Sequence, residues 1–465
     1  FNIEYKIIAE EFSNNFVSCK RLDSLLENYN EKEVNVIGKR LLQELPNELH
    51  KELLEKNAGN TLSPRFSEKN IDIILICDRK DDIGIQVNRE VIEDNIYSQK
   101  WVWCREDIFE IYEEMLSLNT DNKNLPIAIT MGDPSGINSE IILKAFKQIS
   151  KRKISFFIIC DPDWIKKSKK IFNINIPINI ISRKINIKKD KLNILPLKNK
   201  ILFDLGQPNK KNNKAILESL NTAINLAKNN EVSGIVTLPI YKKNLMENNS
   251  NFIGHTEYLA EKDGQDSLMI LISKDLRVAT ITTHIPISKV SKSLTRKKIS
   301  AKIEILNNSL IKDFNIKKPK IAVSSLNPHS GEEGSIGKEE INTIEPCVNY
   351  FKDIGMKIEG PLPADTLFYK KNLNKFDARI CMYHDQALIP LKTIDFYGGI
   401  NFTAGQSFVR TSPDHGTAFN LAGKNRANPK SLVNAIKQAF IISENRKNKW
   451  IAIMSLWKEF LKSII

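Results

Sequence analysis

After about residue 125, the chain alternates between short apolar runs and longer stretches that carry an apolar residue at every third or fourth position. Short continuous apolar runs, such as residues 154–160 and 233–238, predict buried strands. Residues 214–228 have their apolar side chains on one helical face and predict an amphipathic helix. This alternation of strand and helix patterns predicts an α/β architecture with a largely parallel sheet.

Three further apolar runs lead towards a histidine, at His284, His329 and His384. In open α/β sheets, ligands bind beyond the carboxyl ends of the strands, which is where these histidines are expected. Neutral imidazole is a preferred ligand of zinc and similar ions, and three protein ligands with one open position are typical of catalytic metal sites. The pattern therefore predicts a metal site, although each histidine could instead be a polar loop residue bonded to its neighbours.

A series of polar motifs surrounds these histidines. In chain order they are GHTEYLAE at 254–261, TTHIPIS at 282–288, LNPHSGEEGSIGKEE at 326–340, GPLPADTLF at 360–368, YHDQALIPLK at 383–392 and NFTAGQSFVRTSPDHGTAFNLAG at 401–423. With these motifs, residues 125–446 resemble the family of 4-hydroxythreonine-4-phosphate dehydrogenases, the PdxA enzymes of vitamin B6 synthesis. The motifs keep the family's order without large gaps, so the resemblance is specific.

The resemblance implies the fold of the isocitrate and isopropylmalate dehydrogenases, in which two α/β subdomains flank a cleft. It also implies a homodimer whose metal sites take ligands from both subunits. The implied cofactor is NAD or NADP, bound near residues 416–428, and the implied metal is zinc, magnesium or cobalt. The chain has no GxGxxG fingerprint, so a Rossmann cofactor site is not indicated.

The implied reaction is the oxidation of 4-phosphohydroxy-L-threonine to 2-amino-3-oxo-4-phosphooxybutanoate, which decarboxylates to 3-amino-2-oxopropyl phosphate. A metal held by His284, His329 and His384 would act as a Lewis acid on the substrate hydroxyl. The family's substrate-binding positions are matched by His255, Thr256, Lys392, Asn401 and Arg410. A lysine, an amide and a forked guanidinium suit a phosphorylated substrate. Thr256 could equally be a helix N-cap.

Three acidic residues, Asp365, Asp385 and Asp414, are candidates to support the metal site. This prediction rests on a regularity of metal sites: an imidazole that binds a metal usually donates its second N–H to a carboxylate or carbonyl. The same residues would also suit a related dehydrogenase of phosphorylated sugar acids, such as 4-phosphoerythronate or threonate phosphate. The choice between the two substrates therefore stays open on the sequence alone.

Residues 1–116 are acidic on balance, whereas the whole chain carries a net charge of +14. Their pattern predicts helices at 10–16, 46–56 and 89–116 and a strand at 71–77. The segment resembles the last part of a SurA-like periplasmic foldase, which implies a small, partial α+β segment of the parvulin type. A foldase or chaperone role for this segment is a third possible function. His50 is predicted to be a surface residue, and a polar linker follows at 117–124.

The tail, residues 447–465, has apolar residues at helical spacing and predicts a docking helix. The chain has no stretch of about 18 apolar residues, so no membrane span is predicted. Its lysines are scattered among Asn and Ile, so nucleic acid is not an expected partner. The cysteines form no CxxC pair, and a reducing compartment, the cytoplasm, is therefore expected.

Overall fold

The computed structural model describes residues 34–40, 65–66, 70–78 and 81–88, and then residues 125–464 apart from 151–153, 183–184, 249–253 and 275. Side chains are described within residues 125–448, apart from these gaps and residues 247–248. The chain divides into two compact units, Phe1–Asn122 and Lys123–Ile465. The helices predicted at 10–16, 46–56 and 89–116, and with them His50, lie outside the described residues.

The first unit contains a small antiparallel sheet. Its strands are β1 (Val34–Arg40), β2 (Arg65–Phe66), β3 (Asn70–Asp78) and β4 (Asp81–Asn88), in the order β1-β4-β3-β2. The strand predicted at 71–77 is the central part of β3. Strands β3 and β4 form a tight hairpin in which Asp78 pairs with Asp81. The interpretation of this unit as a partial parvulin-type segment stays a prediction.

The second unit alternates strands and helices. Its strands are β5 (Ile127–Thr130), β6 (Phe156–Cys160), β7 (Ile178–Ile180), β8 (Leu192–Pro196), β9 (Gly234–Val236), β10 (Leu268–Ser273), β11 (Leu276–Thr280), β12 (Lys320–Ser324), β13 (Lys357–Leu362), β14 (Ala378–Cys381), β15 (Ile400–Ala404) and β16 (Arg410–Pro413). Its helices are α1 (Asn138–Ile149), α2 (Pro162–Ile171), α3 (Asn213–Lys228), α4 (Lys242–Asn248), α5 (His255–Asp263), α6 (Val290–Ser293), α7 (Arg296–Lys312), α8 (Glu345–Asp353), α9 (Ala364–Leu367), α10 (His384–Ile394) and α11 (Lys430–Ile464).

These strands form one continuous 12-stranded sheet, ordered β13-β12-β14-β11-β10-β15-β16-β9-β5-β6-β8-β7. The strands from β13 to β11 are parallel to one another, and so are the strands from β16 to β7. The pairs β11–β10, β10–β15 and β15–β16 are antiparallel, so the two parallel halves run in opposite directions. The predicted α/β architecture with a largely parallel sheet is confirmed.

The strands in the middle of this sheet can be continuous apolar runs because helices cover them. Every residue of Phe156–Cys160 is buried, as expected for a parallel strand packed on both faces. Helix α3 is attached to the sheet through Ser219, whose hydroxyl donates to the Ile159 carbonyl at 2.7 Å and accepts from the Met131 backbone N–H at 2.9 Å. Helix α11 packs against β16, β9 and β5.

Two boundaries differ from the sequence predictions. The segment after β14 was expected to be a loop, but a helix begins at His384, only three residues after the strand ends. The tail, predicted as a docking helix of its own at 447–465, is instead the end of α11, which is continuous over Lys430–Ile464. No glycine or proline interrupts that stretch, so nothing in its backbone ends the helix. Among the described residues, no helix combines the length and the apolar character needed to cross a bilayer.

Candidate active site

His284 and His384 lie close together because they follow neighbouring strands. Strands β11 and β14 pair in parallel, so both end at the same edge of the sheet. Beyond that edge, the Thr282 hydroxyl donates a 2.7 Å hydrogen bond to the Met382 carbonyl oxygen, which ties the two connecting segments together. The ring centroids of the two histidines are 5.8 Å apart, with 45° between the ring planes. This spacing allows both rings to contact one bound ion.

Each ring of this pair has a carboxylate beside its Nδ1 atom. Asp385 Oδ1 lies 2.7 Å from His384 Nδ1, and Glu257 Oε1 lies 3.8 Å from His284 Nδ1. The contact with His284 lowers the pKa of the Glu257 carboxyl, although burial acts in the opposite direction. Carboxylates in this position orient imidazole ligands. No hydrogen bond engages the Nε2 atom of either ring within the described part of the chain, so both atoms are open to a ligand.

His329 does not join this pair within one chain. It lies in the loop Pro328–Gly334 after β12, where residues 329–333 all have φ between 46° and 80°. Left-handed backbone costs a non-glycine residue about 1 to 2 kcal/mol, so surrounding contacts must hold this loop in place. No three His, Cys, Asp or Glu side chains in the described ranges are placed to hold a metal ion. A single chain therefore does not assemble the predicted three-histidine site.

The Glu340 side chain organises the loop that carries His329. Its buried carboxylate accepts hydrogen bonds from the backbone N–H groups of Leu326 and Asn327 and from Asn327 Nδ2, each at 2.8 Å. A Cβ atom at Gly331 would lie only 2.8 Å from Glu340 Oε2, so a side chain at that position would collide with it. Glu340 was not among the predicted site residues, although it belongs to the same motif as His329.

Arg410 supplies a buried positive charge. The residue is 2% exposed. Its Nη1 donates to Thr403 Oγ1 at 2.8 Å, and its Nε and Nη2 donate to Thr237 Oγ1 at 3.1 and 2.6 Å. Burial lowers the pKa of the guanidinium to about 10, against a weaker opposing effect of Glu257. Because its partners are neutral hydroxyls, this buried cation is expected to attract an anion.

His255 and Thr256 begin helix α5 near Arg410. Burial and the positive charges of Arg410 and Lys242 lower the pKa of His255 well below its usual value. The imidazole is therefore neutral at pH 7, and it can act as a hydrogen-bond donor and acceptor. The residue before this helix is Gly254, and no side chain caps the helix. The alternative role of Thr256 as an N-cap is therefore wrong.

The other predicted residues have separate surroundings. Lys392 Nζ lies 2.7 Å from the Asp414 carbonyl oxygen and forms a 2.6 Å ion pair with Asp414 Oδ2. Asp414 thus contacts the lysine, and among the described residues it has no hydrogen bond or ion pair with His284, His329 or His384. Asn401 has a buried Oδ1 with no hydrogen-bond partner in the part of the chain that is described. Asp365 is exposed and accepts a hydrogen bond from the Thr366 backbone N–H at 2.9 Å.

Glu257 is the residue that sequence reasoning missed beside the histidine pair. It lies in the first turn of α5, within the motif that contains His255. An acidic residue in a first helical turn is common, because it interacts favourably with the helix dipole. The sequence signal was therefore too ordinary to mark a functional role.

The donor set of this site fits both a divalent ion and a phosphorylated ligand. Two open imidazole nitrogens backed by carboxylates are suitable metal ligands. The buried guanidinium of Arg410 and the unpartnered Oδ1 of Asn401 provide a cation and an acceptor for a polar, anionic molecule. Fold and site together define an α/β protein whose site suits a small anionic ligand.

Comparison with known proteins identifies the family. The model of the family described as "Pyridoxal phosphate biosynthetic protein PdxA" matches residues 152–439. The 4-hydroxythreonine-4-phosphate dehydrogenase of Sulfurihydrogenibium sp. (strain YO3AOP1) is 40% identical over 322 residues, which cover 69% of this chain and 99% of that protein. The enzyme of the same name from Caulobacter vibrioides is 38% identical over 333 residues, with 69% and 98% coverage. The chain belongs to the PdxA family.

Solved structures agree with this assignment. The crystal structure of 4-hydroxythreonine-4-phosphate dehydrogenase from Klebsiella pneumoniae has 32% sequence identity and a TM-score of 0.62, covering 69% of this chain and 100% of that one. The corresponding structure from Burkholderia phymatum has 31% identity and a TM-score of 0.60. The family resemblance of residues 125–446, and with it the oxidoreductase class of the enzyme, is confirmed. The foldase resemblance of residues 1–116 stays a prediction.

Proposed function

We propose that this enzyme oxidises 4-phosphohydroxy-L-threonine to 2-amino-3-oxo-4-phosphooxybutanoate, which decarboxylates to 3-amino-2-oxopropyl phosphate on the route to pyridoxal phosphate. The observation that carries the proposal is the pairing of His284 and His384 at one sheet edge, 5.8 Å between ring centroids. The charge of Arg410, which is buried and bonded to threonine hydroxyls, supports a phosphorylated substrate. Family membership supports the same reaction.

The metal proposed for this site is a divalent ion, namely zinc, magnesium or cobalt. His284 and His384 would hold it through their open Nε2 atoms, and Asp385 and Glu257 would keep the two rings oriented. When bound, such an ion acts as a Lewis acid that lowers the pKa of a hydroxyl group. The proposed cofactor, NAD or NADP, would accept the hydride from the substrate carbon.

We further propose that His255, Thr256, Lys392, Asn401 and Arg410 bind the substrate. Arg410 offers a forked guanidinium, whose N–H groups suit a phosphate better than a point charge does. The neutral imidazole of His255 can donate or accept a hydrogen bond without adding charge. Lys392 is held by Asp414, so its ammonium group has a fixed position and does not have to be ordered by the substrate.

The third metal ligand, His329, is proposed to come from a second copy of the chain. This proposal explains why His329 lies apart from the pair in one chain. Large apolar side chains are exposed on the segments that carry the pair and just after them: Ile287 is 70% exposed, and Ile389, Phe396 and Tyr397 are exposed on and after α10. Contact with a second copy of the chain would remove such side chains from water. A homodimer with shared sites follows.

We assign the reaction to residues 125–446 and propose that residues 1–116 are a foldase remnant joined by the linker 117–124. The tail, residues 447–465, is proposed to be a docking segment. A dehydrogenase that needs NAD or NADP is expected in the cytoplasm, where these cofactors are supplied, and this is the proposed location. Nucleic acid and membranes are not among the proposed partners.

The deciding experiment measures NADH or NADPH formation from 4-phosphohydroxy-L-threonine, before and after treatment with a chelator. We expect turnover that the chelator abolishes and that added zinc, cobalt or magnesium restores. Turnover that resists complete metal removal would contradict the metal-dependent mechanism. Faster turnover of 4-phosphoerythronate or threonate phosphate would instead assign the enzyme to the sugar-acid dehydrogenases.

A further inference from the structure

Lys242 is a positively charged residue at the substrate site that the reaction above does not use. It begins helix α4 and follows the turn after β9. A Cβ atom at Gly254 would lie 3.3 Å from Lys242 Nζ and 2.6 Å from Glu257 Oε2. The lysine amine, Gly254 and the Glu257 carboxylate therefore meet at one place. Gly254 leaves room for both side chains because it has no Cβ atom of its own.

The charge of Lys242 acts on the residues that surround this place. Together with burial and Arg410, it lowers the pKa of His255, and it contributes to the lowered pKa of the Glu257 carboxyl. Glu257 also contacts His284, so the lysine lies near a residue that contacts the histidine pair and near His255, which is proposed to bind the substrate.

Lys242 differs from the other lysine proposed to bind the substrate. Lys392 is bound by Asp414 at 2.6 Å. Within the described ranges, Lys242 has neither a hydrogen bond nor an ion pair closer than 4.0 Å. Its side chain is partly buried. A partly buried ammonium group without a partner is expected to gain from binding an anion.

The net charge of the side chains around Gly254 also favours the binding of an anion. Lys242 and Arg410 carry two positive charges, Glu257 carries one negative charge, and His255 is neutral at pH 7. One positive charge is thus left over before any substrate binds. Two cations that converge from different elements, α4 and β16, can contact two oxygens of an anion at once.

We propose that Lys242 is a further substrate-binding residue that contacts an anionic oxygen of the substrate, either on its phosphate or on its carboxylate. The inference rests on the proposed function for the identity of the substrate. The competing role, in which Lys242 only neutralises Glu257, predicts a different phenotype. Loss of the lysine would then disturb the metal ligand His284 and would leave substrate affinity unchanged.

The test compares Lys242→Met with Lys243→Met, which removes the same charge from the neighbouring exposed residue. We expect Lys242→Met to raise the KM for 4-phosphohydroxy-L-threonine roughly tenfold or more, since it removes a charged hydrogen bond. The KM for the nicotinamide cofactor and the behaviour of Lys243→Met should stay at wild-type values. Lys242→Arg keeps the charge and should recover most of the substrate affinity.

Direct binding separates the two anionic groups and does not depend on turnover. Calorimetry with inorganic phosphate and with unphosphorylated 4-hydroxythreonine is performed on the full chain. A loss of affinity in Lys242→Met for phosphate alone assigns the contact to the phosphate, and a loss for 4-hydroxythreonine alone assigns it to the carboxylate. Equal binding of both probes by Lys242→Met and Lys243→Met would overturn the inference.

The remaining outcomes are also decisive. If Lys242→Met weakens metal binding as much as Glu257→Gln does and leaves substrate and probe affinities unchanged, the lysine serves only Glu257 and the inference is wrong. If the wild type binds the probes but does not oxidise the substrate, the proposed function fails and the binding comparison still decides the role of Lys242. Should Lys242→Met unfold, Lys242→Gln is measured in its place.

Discussion

Two regions in the same parallel half of the 12-stranded sheet position their histidines in different ways. His284 and His384 follow the neighbouring strands β11 and β14, and short segments bring their rings to a 5.8 Å centroid distance. His329 follows β12, which is the other neighbour of β14, yet its loop does not bring it to the pair. Strand order alone therefore does not decide which side chains meet.

The difference lies in the loop after each strand. Between β11 and β14, a hydrogen bond from Thr282 to Met382 keeps the two segments side by side. After β12, five consecutive residues are left-handed, and the buried carboxylate of Glu340 holds the start of the loop. A loop with this left-handed backbone and these hydrogen bonds to Glu340 has a defined shape that does not depend on contact with His284 or His384. It is suited to present His329 to another molecule.

The largest effect is expected from mixing subunits. His284→Ala, His329→Ala and His384→Ala should each abolish metal-dependent turnover, because each removes a proposed metal ligand. If His329 acts across a dimer, a reannealed equal mixture of His329→Ala and His284→Ala chains regains one intact site in half of its dimers. The mixture should then recover about a quarter of the wild-type activity. Activity after denaturation and joint refolding is the measurement.

The matched control is a mixture of His284→Ala and His384→Ala chains. These two histidines belong to the same pair in one chain, so no combination of the two variants restores a site. Recovery in this control, or no recovery with His329→Ala, would contradict the division of the three histidines between subunits. Mixing ratios confirmed by mass spectrometry keep the comparison quantitative.

Much of the pair could be predicted from the sequence. The apolar runs before His284 and His384 mark buried strands, and parallel neighbours end at one edge, so convergence follows from pattern and topology. Arg410 was predicted as a site residue by family resemblance, but its burial was not, because its partner Thr237 is far away in the chain and Thr403 lies on the neighbouring strand β15. The predicted partner Asp385 contacts His384, whereas Asp414 contacts Lys392.

The loop of His329 could not be predicted in the same way. Periodicity describes helices and strands, and a left-handed run at residues 329–333 produces no periodic signal. Only Gly331 and Gly334 hint at unusual backbone, because glycine adopts positive φ without strain. Glu340 and Glu257 act through contacts that form only on folding, and a lone carboxylate in a helical stretch of sequence is usually a solvated residue.

An intermediate effect is expected from Glu340→Gln. The amide keeps the size of the side chain but replaces one acceptor oxygen with a donor, so it can no longer accept from both the backbone N–H groups of Leu326 and Asn327 and the Asn327 side chain. Residues that support metal ligands typically contribute 10- to 100-fold in metal affinity, and about this loss is expected. Metal affinity is measured by competition with a chromophoric chelator.

Glu339→Gln is the control for this change. Glu339 also bonds Asn327 Nδ2 at 2.8 Å, but it does not reach the loop backbone. Its effect should therefore be smaller than that of Glu340→Gln. Equal effects of the two variants would show that the backbone contacts of Glu340 do not hold His329 in place. A cobalt-loaded sample adds a second measure, because the absorption of the bound ion reports its ligand geometry.

The smallest effect is expected at the pair of His284 and His384. It concerns how protonation of Glu257 changes stability as the pH falls. Its pKa in the folded chain lies below the usual value of 4.5, chiefly because of the contact with His284. A carboxyl with a lowered folded pKa stabilises the fold above its unfolded pKa, and this contribution disappears as the pH falls through the folded value. Between pH 6 and 4, the melting temperature of the wild type should therefore fall slightly more than that of Glu257→Gln, as measured by differential scanning calorimetry on metal-free protein. Because the 3.8 Å contact is long and partly exposed, the difference should be small.

Identical pH profiles for the two proteins would mean that Glu257 does not support His284 before a metal binds, and that the pair is held by its strands alone.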